Sequence, residues 1–174
     1  MDAQIIDVGG GASTLVDDLL SEGFKNISVL DLSEAALQAA QSRIGKKVAD
    51  VNWIVGDITD IQLPPQHFDV WHDRAVFHFL VTPEARAAYK TNLKISLKPD
   101  GHLILATFAE DGPAKCSGLP VQRYSVAEIS RELGPGFELL HAEKEQHQTP
   151  TGVIQKFNYC HFQKVETAAH KSRA

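Results

Sequence analysis

Cysteine is scarce: the 174 residues hold only Cys116 and Cys160, with no CxxC pair. That excludes a disulfide framework and fits a reducing, cytoplasmic setting. Long hydrophobic runs are missing too. No apolar stretch approaches the roughly 18 residues needed to cross a bilayer, and nothing resembles a signal peptide, so no membrane association is expected. Positive charge is in deficit, with 17 basic against 22 acidic residues and a net charge of −5. This removes the basic footprint of a nucleic-acid binder and any polybasic membrane-surface segment. Internal repeats and low-complexity segments are also absent. What is left is a single domain, large enough for a real core, whose partner is expected to be a small molecule or a protein side chain.

The most informative stretch present is Ile5-Ile6-Asp7-Val8-Gly9-Gly10-Gly11-Ala12-Ser13. An apolar run that ends in an acid and successive glycines predicts a strand feeding a backbone turn built for close approach to a ligand. Glycine reaches φ > 0 without a Cβ penalty and leaves the ligand nothing to collide with. A helix expected from Ala12 to Ser21 turns its free N–H groups toward the same space. A strict dinucleotide fingerprint needs a third glycine at position 14, where Thr14 stands, which disfavours an NAD-dependent reductase.

Short β-rich runs alternate with longer helix-period segments, which predicts βαβ units and a parallel sheet. Strands are expected near 4–8, 27–30, 51–55, 68–72 and 102–108. Helices are expected over 12–21, over 34–44 behind the N-cap Ser33, and over 84–97 after Thr82-Pro83. Lys98-Pro99-Asp100-Gly101 reads as a turn. A Gly-, Pro- and Ser-rich loop over 109–123 precedes a short helix over 126–133 capped by Ser125 and ended by Gly134-Pro135-Gly136. Strands over 137–143 and 154–163 follow, joined by the polar stretch 145–152, whose length suits a hairpin rather than a helical crossover. The domain is expected to span 1–164, with a frayed tail over 165–174.

In a sheet of this kind ligands sit beyond the carboxyl ends of the strands, so the residues just after each strand are the candidates. The second strand ends at Asp31, followed by Leu32 and Ser33, and the third runs into Gly56-Asp57-Ile58. Each acid has a plain structural alternative. Asp31 favours the N-terminus of the next helix, and Asp57 bonds its own turn. The fourth strand runs through Trp71-His72-Asp73-Arg74 into Ala75-Val76-Phe77-His78-Phe79-Leu80. Here a cleft-facing polar group and a simple Asp73–Arg74 ion pair are both open. His72, His78, Cys116 and His147 show no zinc-site spacing, and no metal is expected.

The Asp-x-Gly-x-Gly spacing, with Asp31 about twenty residues on, resembles motif I of class I S-adenosylmethionine-dependent methyltransferases. The run from Trp71 to Leu80 resembles motif IV, in a form similar to thiopurine and other thiol methyltransferases and to some protein-lysine methyltransferases. This run and Cys116-Ser117-Gly118-Leu119-Pro120-Val121-Gln122-Arg123-Tyr124 together resemble bacterial type 11 and type 12 methyltransferases. The resemblance implies an α/β, Rossmann-like, seven-stranded, mostly parallel sheet closed by a C-terminal antiparallel hairpin. The N-terminal cover helices usual in the family are absent before the first strand, which suggests a truncation or a lid from another subunit; a homodimer is open.

The resemblance further implies S-adenosyl-L-methionine as cofactor and S-adenosyl-L-homocysteine as product. It assigns Gly9, Gly10 and Gly11 to the methionine part, Asp7 to the turn or the amino group, Asp31 to the ribose, Asp57 with Ile58 to adenine, and Leu32 to the cofactor site. His72, Asp73 and Arg74 are the catalytic candidates, Asp73 also lying near the cofactor. The loop over 109–124 is expected above the acceptor, offering Glu110, Cys116, Arg123 and Tyr124. The hairpin tip near His147, Thr149 and Gln155 is expected to close the far edge.

The expected activity is methyl transfer to a small-molecule acceptor, a thiol or other chalcogen ahead of an amine or oxygen. Protein-lysine methylation and non-catalytic cofactor binding are the alternatives. Valine at Gly9 or Gly11 is expected to abolish cofactor binding with modest effect on folding.

Overall fold

Ile5, Ile6, Asp7 and Val8 are all buried, as a parallel strand covered by helices on both faces requires. In the computed structural model, which describes residues 1–149 and 152–166, this run is strand β1 (Gln4–Val8). The chain continues through α1 (Leu15–Ser21), β2 (Asn26–Asp31), α2 (Glu34–Ile44), β3 (Val51–Val55) and β4 (Phe68–Arg74). Then come α3 (Pro83–Ser96), β5 (Leu97–Phe108), the two-residue strands β6 (Lys115–Cys116) and β7 (Leu119–Pro120), α4 (Val126–Leu133), β8 (Phe137–Gln148) and β9 (Ile154–Lys164).

The main sheet has seven strands in the order β3-β2-β1-β4-β5-β9-β8. Pairs from β3 to β5 are parallel, and β5–β9 and β9–β8 are antiparallel. The expected fold class is borne out. On one face α1 and α2 bury Val16 and Leu37 against Ile27, Val29 and Val51. On the other α3 and α4 bring Tyr89, Leu93, Ile129 and Leu133 onto Ile6, Trp71, Leu103, Leu105 and Phe162.

Helix ends follow local chemistry. Ser33 and Thr82 accept from Ala36 N and Ala85 N, Pro83 occupies the first turn of α3, and Ser125 with Glu128 forms a reciprocal capping box on α4.

Three local expectations are corrected. Helix α1 begins at Leu15 rather than Ala12, because residues 9–14 stay in the glycine turn; Thr14 makes no side-chain cap, and Ser13 Oγ accepts from Leu15 N instead. The expected turn over 98–101 lies within β5. There the register jumps from Phe68↔Leu97 to Val70↔His102, and Asp100 takes φ 59° in the bulge. Strand β8 runs on to Gln148, because cross-strand pairing with β9 continues to Ile154. Pro150, Thr151 and residues 167–174 of the expected tail lie outside the described residues. Strands β6 and β7, pairing Cys116 with Leu119, were not expected.

Candidate cofactor and acceptor cleft

Strand β1 pairs with both β2 and β4, so the chain winds out to β3 and returns beside β1. This is the switch point at which the strand order reverses, and a crevice opens at the carboxyl ends. Two adjoining cavities occupy it. The larger, about 710 Å³, is lined by Gly9, Asp31, Leu32, Asp57, Ile58, Arg74, Val76, Phe79, Leu80, Val81, Ala85, Leu119 and Pro120, among others. The smaller, about 360 Å³, is lined by Asp7, Gly9, Gly10, Gly11, Ala12, Ser13, Asp31, Ala36, His72 and Arg74. Gly9, Asp31 and Arg74 border both.

The glycines answer to specific neighbours. A Cβ on Gly9, which has φ +74°, would stand 2.0 Å from Val76 Cγ2. On Gly10 it would meet Asp7 Oδ2 and Val29 Cγ1, both at 2.6 Å, and on Gly11, at φ +43°, Asp31 Oδ2 at 2.8 Å. The turn is therefore packed tightly by the protein itself as well as open to a ligand. Its first N–H groups are taken: Gly9 N and Gly10 N both donate to Leu30 O, at 2.7 and 3.3 Å. Ser13 N is taken as well, by Gly10 O at 2.7 Å, so close approach by a ligand falls to Gly11 and Ala12, which line the smaller cavity.

Asp31 Oδ1 accepts from Ser33 N at 2.7 Å, so the acid steadies the start of α2 while lining both cavities. Asp57 Oδ1 accepts from Thr59 N at 2.8 Å and from Thr59 Oγ1 at 2.7 Å. Both structural alternatives therefore hold alongside the position in the cleft. Leu32, 71% exposed, and Ile58, buried, line the larger cavity beside these acids. Asp7, 3% exposed, lies 2.7 Å from His72 Nδ1. With the proton on Nδ1 donated to Asp7, the imidazole presents Nε2 as an acceptor.

Alternation along β4 separates the remaining candidates. His72 and Arg74 point into the cleft, whereas Asp73 lies on the opposite face, fully buried, and lines neither cavity. The expectation of Asp73 as a cleft residue is corrected on this ground. Its carboxylate accepts from Val76 N at 2.8 Å, Phe77 N at 3.2 Å and Tyr89 OH at 2.7 Å. Burial pushes its pKa up to about 6, opposed first by the Tyr89 hydrogen bond. The same alternation keeps it from forming an ion pair with Arg74. Arg74 Nε instead donates to Tyr159 OH at 2.6 Å, and its guanidinium carbon stands 4.7 Å from the Phe157 ring centroid. Tyr159, Phe157 and Tyr89 were missed by sequence reading, because only the strand pairing and helix packing bring them to β4.

The loop candidates do not line either cavity. Arg123 Nη1 donates to Gly112 O, Glu110 pairs with Lys144 and Asn158, Tyr124 is buried against Phe77, and Cys116 pairs with Leu119 in the small hairpin. His147, Thr149 and Gln155 are likewise absent from both linings. The loop reaches the cleft through Leu119 and Pro120. Among the described residues no three His, Cys, Asp or Glu side chains are grouped to hold a metal, and no helix is long and apolar enough to cross a membrane.

A largely apolar cavity with carboxylates at two strand ends suits a nucleoside, whose hydroxyl and amino groups need acceptors. The smaller polar cavity beside it suits a charged tail. The residues fit S-adenosylmethionine, whose adenosine would lie along Asp31, Leu32, Asp57 and Ile58 and whose amino-acid end would lie along Asp7, Gly11 and Ala12.

Comparison with known proteins points the same way. A family model described as a methyltransferase domain matches residues 5–101. EEF1A lysine methyltransferase 2 of Danio rerio is 26% identical over 144 residues, covering 79% of this chain and 56% of that protein. Thiocyanate methyltransferase 1 of Arabidopsis thaliana is 30% identical over 125 residues, covering 70% of this chain and 53% of that protein. The chain thus spans about half the length of these curated relatives.

Among solved structures, a SAM-dependent methyltransferase from Methanosarcina mazei superposes with TM-score 0.78 at 16% identity, over 95% of this chain and 94% of that one. The 1,6-didemethyltoxoflavin-N1-methyltransferase of Burkholderia thailandensis, solved with S-adenosylhomocysteine, gives 0.73 at 19% identity, over 95% of this chain and 72% of that one. At these identities the superpositions speak for the fold.

Proposed function

We propose, from the premise that this chain belongs to the methyltransferase domain family, that it moves the methyl group of S-adenosylmethionine onto a small thiol or other chalcogen carrying an apolar body. The observation that carries the acceptor class is the make-up of the larger cavity away from Asp31 and Asp57. Phe79, Leu80, Val81, Ala85, Leu119 and Pro120 bring no carboxylate and no base, and Arg74 is the cation at its border.

An amine acceptor arrives protonated and needs a base or carboxylates around it. A thiol with pKa near ~8.5 is already partly ionised at neutral pH, and a guanidinium beside it raises that fraction. The apolar walls strip water from the thiolate and hold it in line, so positioning supplies most of the acceleration. Arg74 is well suited to this work, because Tyr159 and Phe157 hold its guanidinium from one side. When bound, the sulfonium would supply an activated methyl group to the acceptor's lone pair and would keep the electron pair of the C–S bond it gives up.

The lysine methyltransferase relatives favour a second reading, transfer to a protein amine. A third is cofactor binding without turnover. Isothermal titration with S-adenosylmethionine, S-adenosylhomocysteine and NAD, followed by homocysteine-release assays on aryl thiols, alkyl thiols and lysine peptides, separates all three. The expected result is micromolar binding of the first two ligands and turnover confined to thiols. Turnover confined to lysine would transfer the assignment to the second reading, and binding without turnover to the third. Binding of NAD alone would remove the cofactor assignment.

A further inference from the structure

Beneath the cleft, on the buried face of β4, three side chains form a hydrogen-bond chain with one direction. Trp71 Nε1–H donates to Tyr89 OH at 3.0 Å, Tyr89 OH donates to Asp73 Oδ2 at 2.7 Å, and Asp73 accepts the N–H groups of Val76 and Phe77 at 2.8 and 3.2 Å. An indole N–H can only donate, so it engages the tyrosine oxygen and leaves the phenolic proton for Asp73. Asp73 must then be an acceptor at every contact, which is its ionised form. A proton on Asp73 would have only the tyrosine oxygen to receive it and would strand the phenol's own proton. All three side chains are fully buried, where a stranded donor finds no water.

The two N–H groups that Asp73 holds belong to the turn leaving β4. Ala75 in that turn takes φ 74°, a left-handed conformation that a residue with a Cβ adopts only when its surroundings impose it. Those surroundings are Asp73 on Val76 and Phe77, and the bond from Ala75 N to Ala106 O at 2.9 Å. The turn decides where Arg74 leaves the strand and where Val76 lies over Gly9, the two points at which β4 meets the cleft.

We infer that Tyr89 and Trp71 are positioning residues for methyl transfer: they keep Asp73 in its acceptor-only state, and Asp73 in turn holds the strained Ala75 turn that seats Arg74. The link to methyl transfer rests on the function proposed above; the hydrogen-bond chain itself does not.

One proton governs the device. From α3 the titratable group facing Asp73 is Tyr89, whose own pKa burial and the Asp73 charge raise well above the ordinary value, so it stays protonated. His72 and Arg74 flank it on β4, of which His72 acts to lower its pKa, and the register partners on β1 and β5 are Val8 and Leu105. Burial raises Asp73 to about 6 even with the Tyr89, Val76 and Phe77 hydrogen bonds pulling the other way. The turn is therefore expected to loosen on mild acidification.

The test is an NMR titration of the full chain with ¹³C-labelled aspartate and ¹⁵N-labelled arginine, assigned with Asp73→Asn and Arg74→Lys. The Asp73 carboxyl is expected to titrate near pH 6. The Arg74 Nε–H signal, which reports the 2.6 Å bond to Tyr159 OH, is expected to move with the same midpoint. Tyr89→Phe removes a donor to the carboxylate and should carry both midpoints upward together. Trp71→Phe frees the tyrosine oxygen for a proton on Asp73 and should move them the same way, which keeps the test open if the first variant does not fold.

The pH at which kcat for a thiol acceptor falls to half is expected to follow the shared midpoint and to rise with it in both variants, because only the ionised fraction of Asp73 seats Arg74. Midpoints unchanged in folded variants, or an Arg74 signal indifferent to Asp73, would overturn the inference and leave Tyr89 as packing alone. Coupled midpoints without ligand binding at any pH would uphold the hydrogen-bond chain and sink the cofactor assignment instead.

Discussion

At the scale of single residues, the cleft is built from side chains with two duties. Asp31 steadies α2 through Ser33 N and also lines both cavities. We predict that Asp31→Ala weakens S-adenosylmethionine binding by about 1–3 kcal/mol, the scale of a charge-assisted hydrogen bond, as read by titration calorimetry. An unchanged dissociation constant would take Asp31 out of the site. Gly9 is a different case. Valine there meets Val76 Cγ2 within 2.0 Å and must adopt φ +74°, so Gly9→Val is expected to lower the melting temperature markedly, whatever it does to the ligand. The expectation of a binding defect with modest cost to folding is therefore withdrawn for Gly9. Gly11 carries the same kind of strain at φ +43°, and its Cβ would meet the Asp31 carboxylate at 2.8 Å, so Gly11→Val is expected to lower stability as well as disturb Asp31.

At the scale of elements, the small β6–β7 hairpin is what the long loop contributes to the cleft. Leu119 is 59% exposed and Pro120 is also exposed, yet both line the larger cavity. Exposed apolar residues at the mouth of a cavity suit contact with the body of an apolar acceptor more than with its reacting atom. Leu119→Ser is thus predicted to raise KM for aryl and long alkyl thiols several-fold, to change KM for short thiols little, and to leave kcat within about twofold, since contacts equal in ground and transition state affect binding alone. A fall in kcat with constant KM would place Leu119 against the reacting centre and refute this division of labour.

At the scale of the whole molecule, two buried titrating groups push stability in opposite directions with pH. His78 is buried between Phe108 and Phe157, and desolvation lowers its pKa from 6.5 to about 4. The unfolded chain then binds the extra proton, so this contribution is complete above about pH 6.5 and is lost as pH falls toward 4. Asp73, raised from 3.8 to about 6, has the opposite sign: its contribution is present below 3.8 and is lost as pH rises through 6. Each amounts to a few kcal/mol at most, and across the shared window they offset one another. His78→Gln keeps an acceptor for Phe108 N but cannot charge. Its stability relative to the parent, from urea melts, is predicted to improve steadily as pH drops from 6.5 to 4.5. A difference that stays constant with pH would mean that His78 does not titrate across the folding transition.

The layout of this protein was legible in its sequence because it depends on local rules. Short β-rich runs alternating with helix-period segments located the strands of the sheet, and Ser33, Thr82-Pro83 and Ser125 marked helix starts that the structure reproduces. The glycine turn, Asp31 and Asp57 were readable because ligands in such sheets gather at the carboxyl ends of strands, which order along the chain reveals. What β4 does with its polar residues was not readable. His72, Asp73 and Arg74 are consecutive and look alike as candidates, but the two-residue period sends the middle one into the core and the other two into the cleft. The partners that give each its role, Asp7 for His72, Tyr89 for Asp73 and Tyr159 for Arg74, lie 65, 16 and 85 residues away. Sequence alone determined the scaffold and the strand ends. The side of the sheet each group faces, and the burial and partners that set its chemistry, were decided by tertiary packing, because both depend on contacts between residues far apart in the chain.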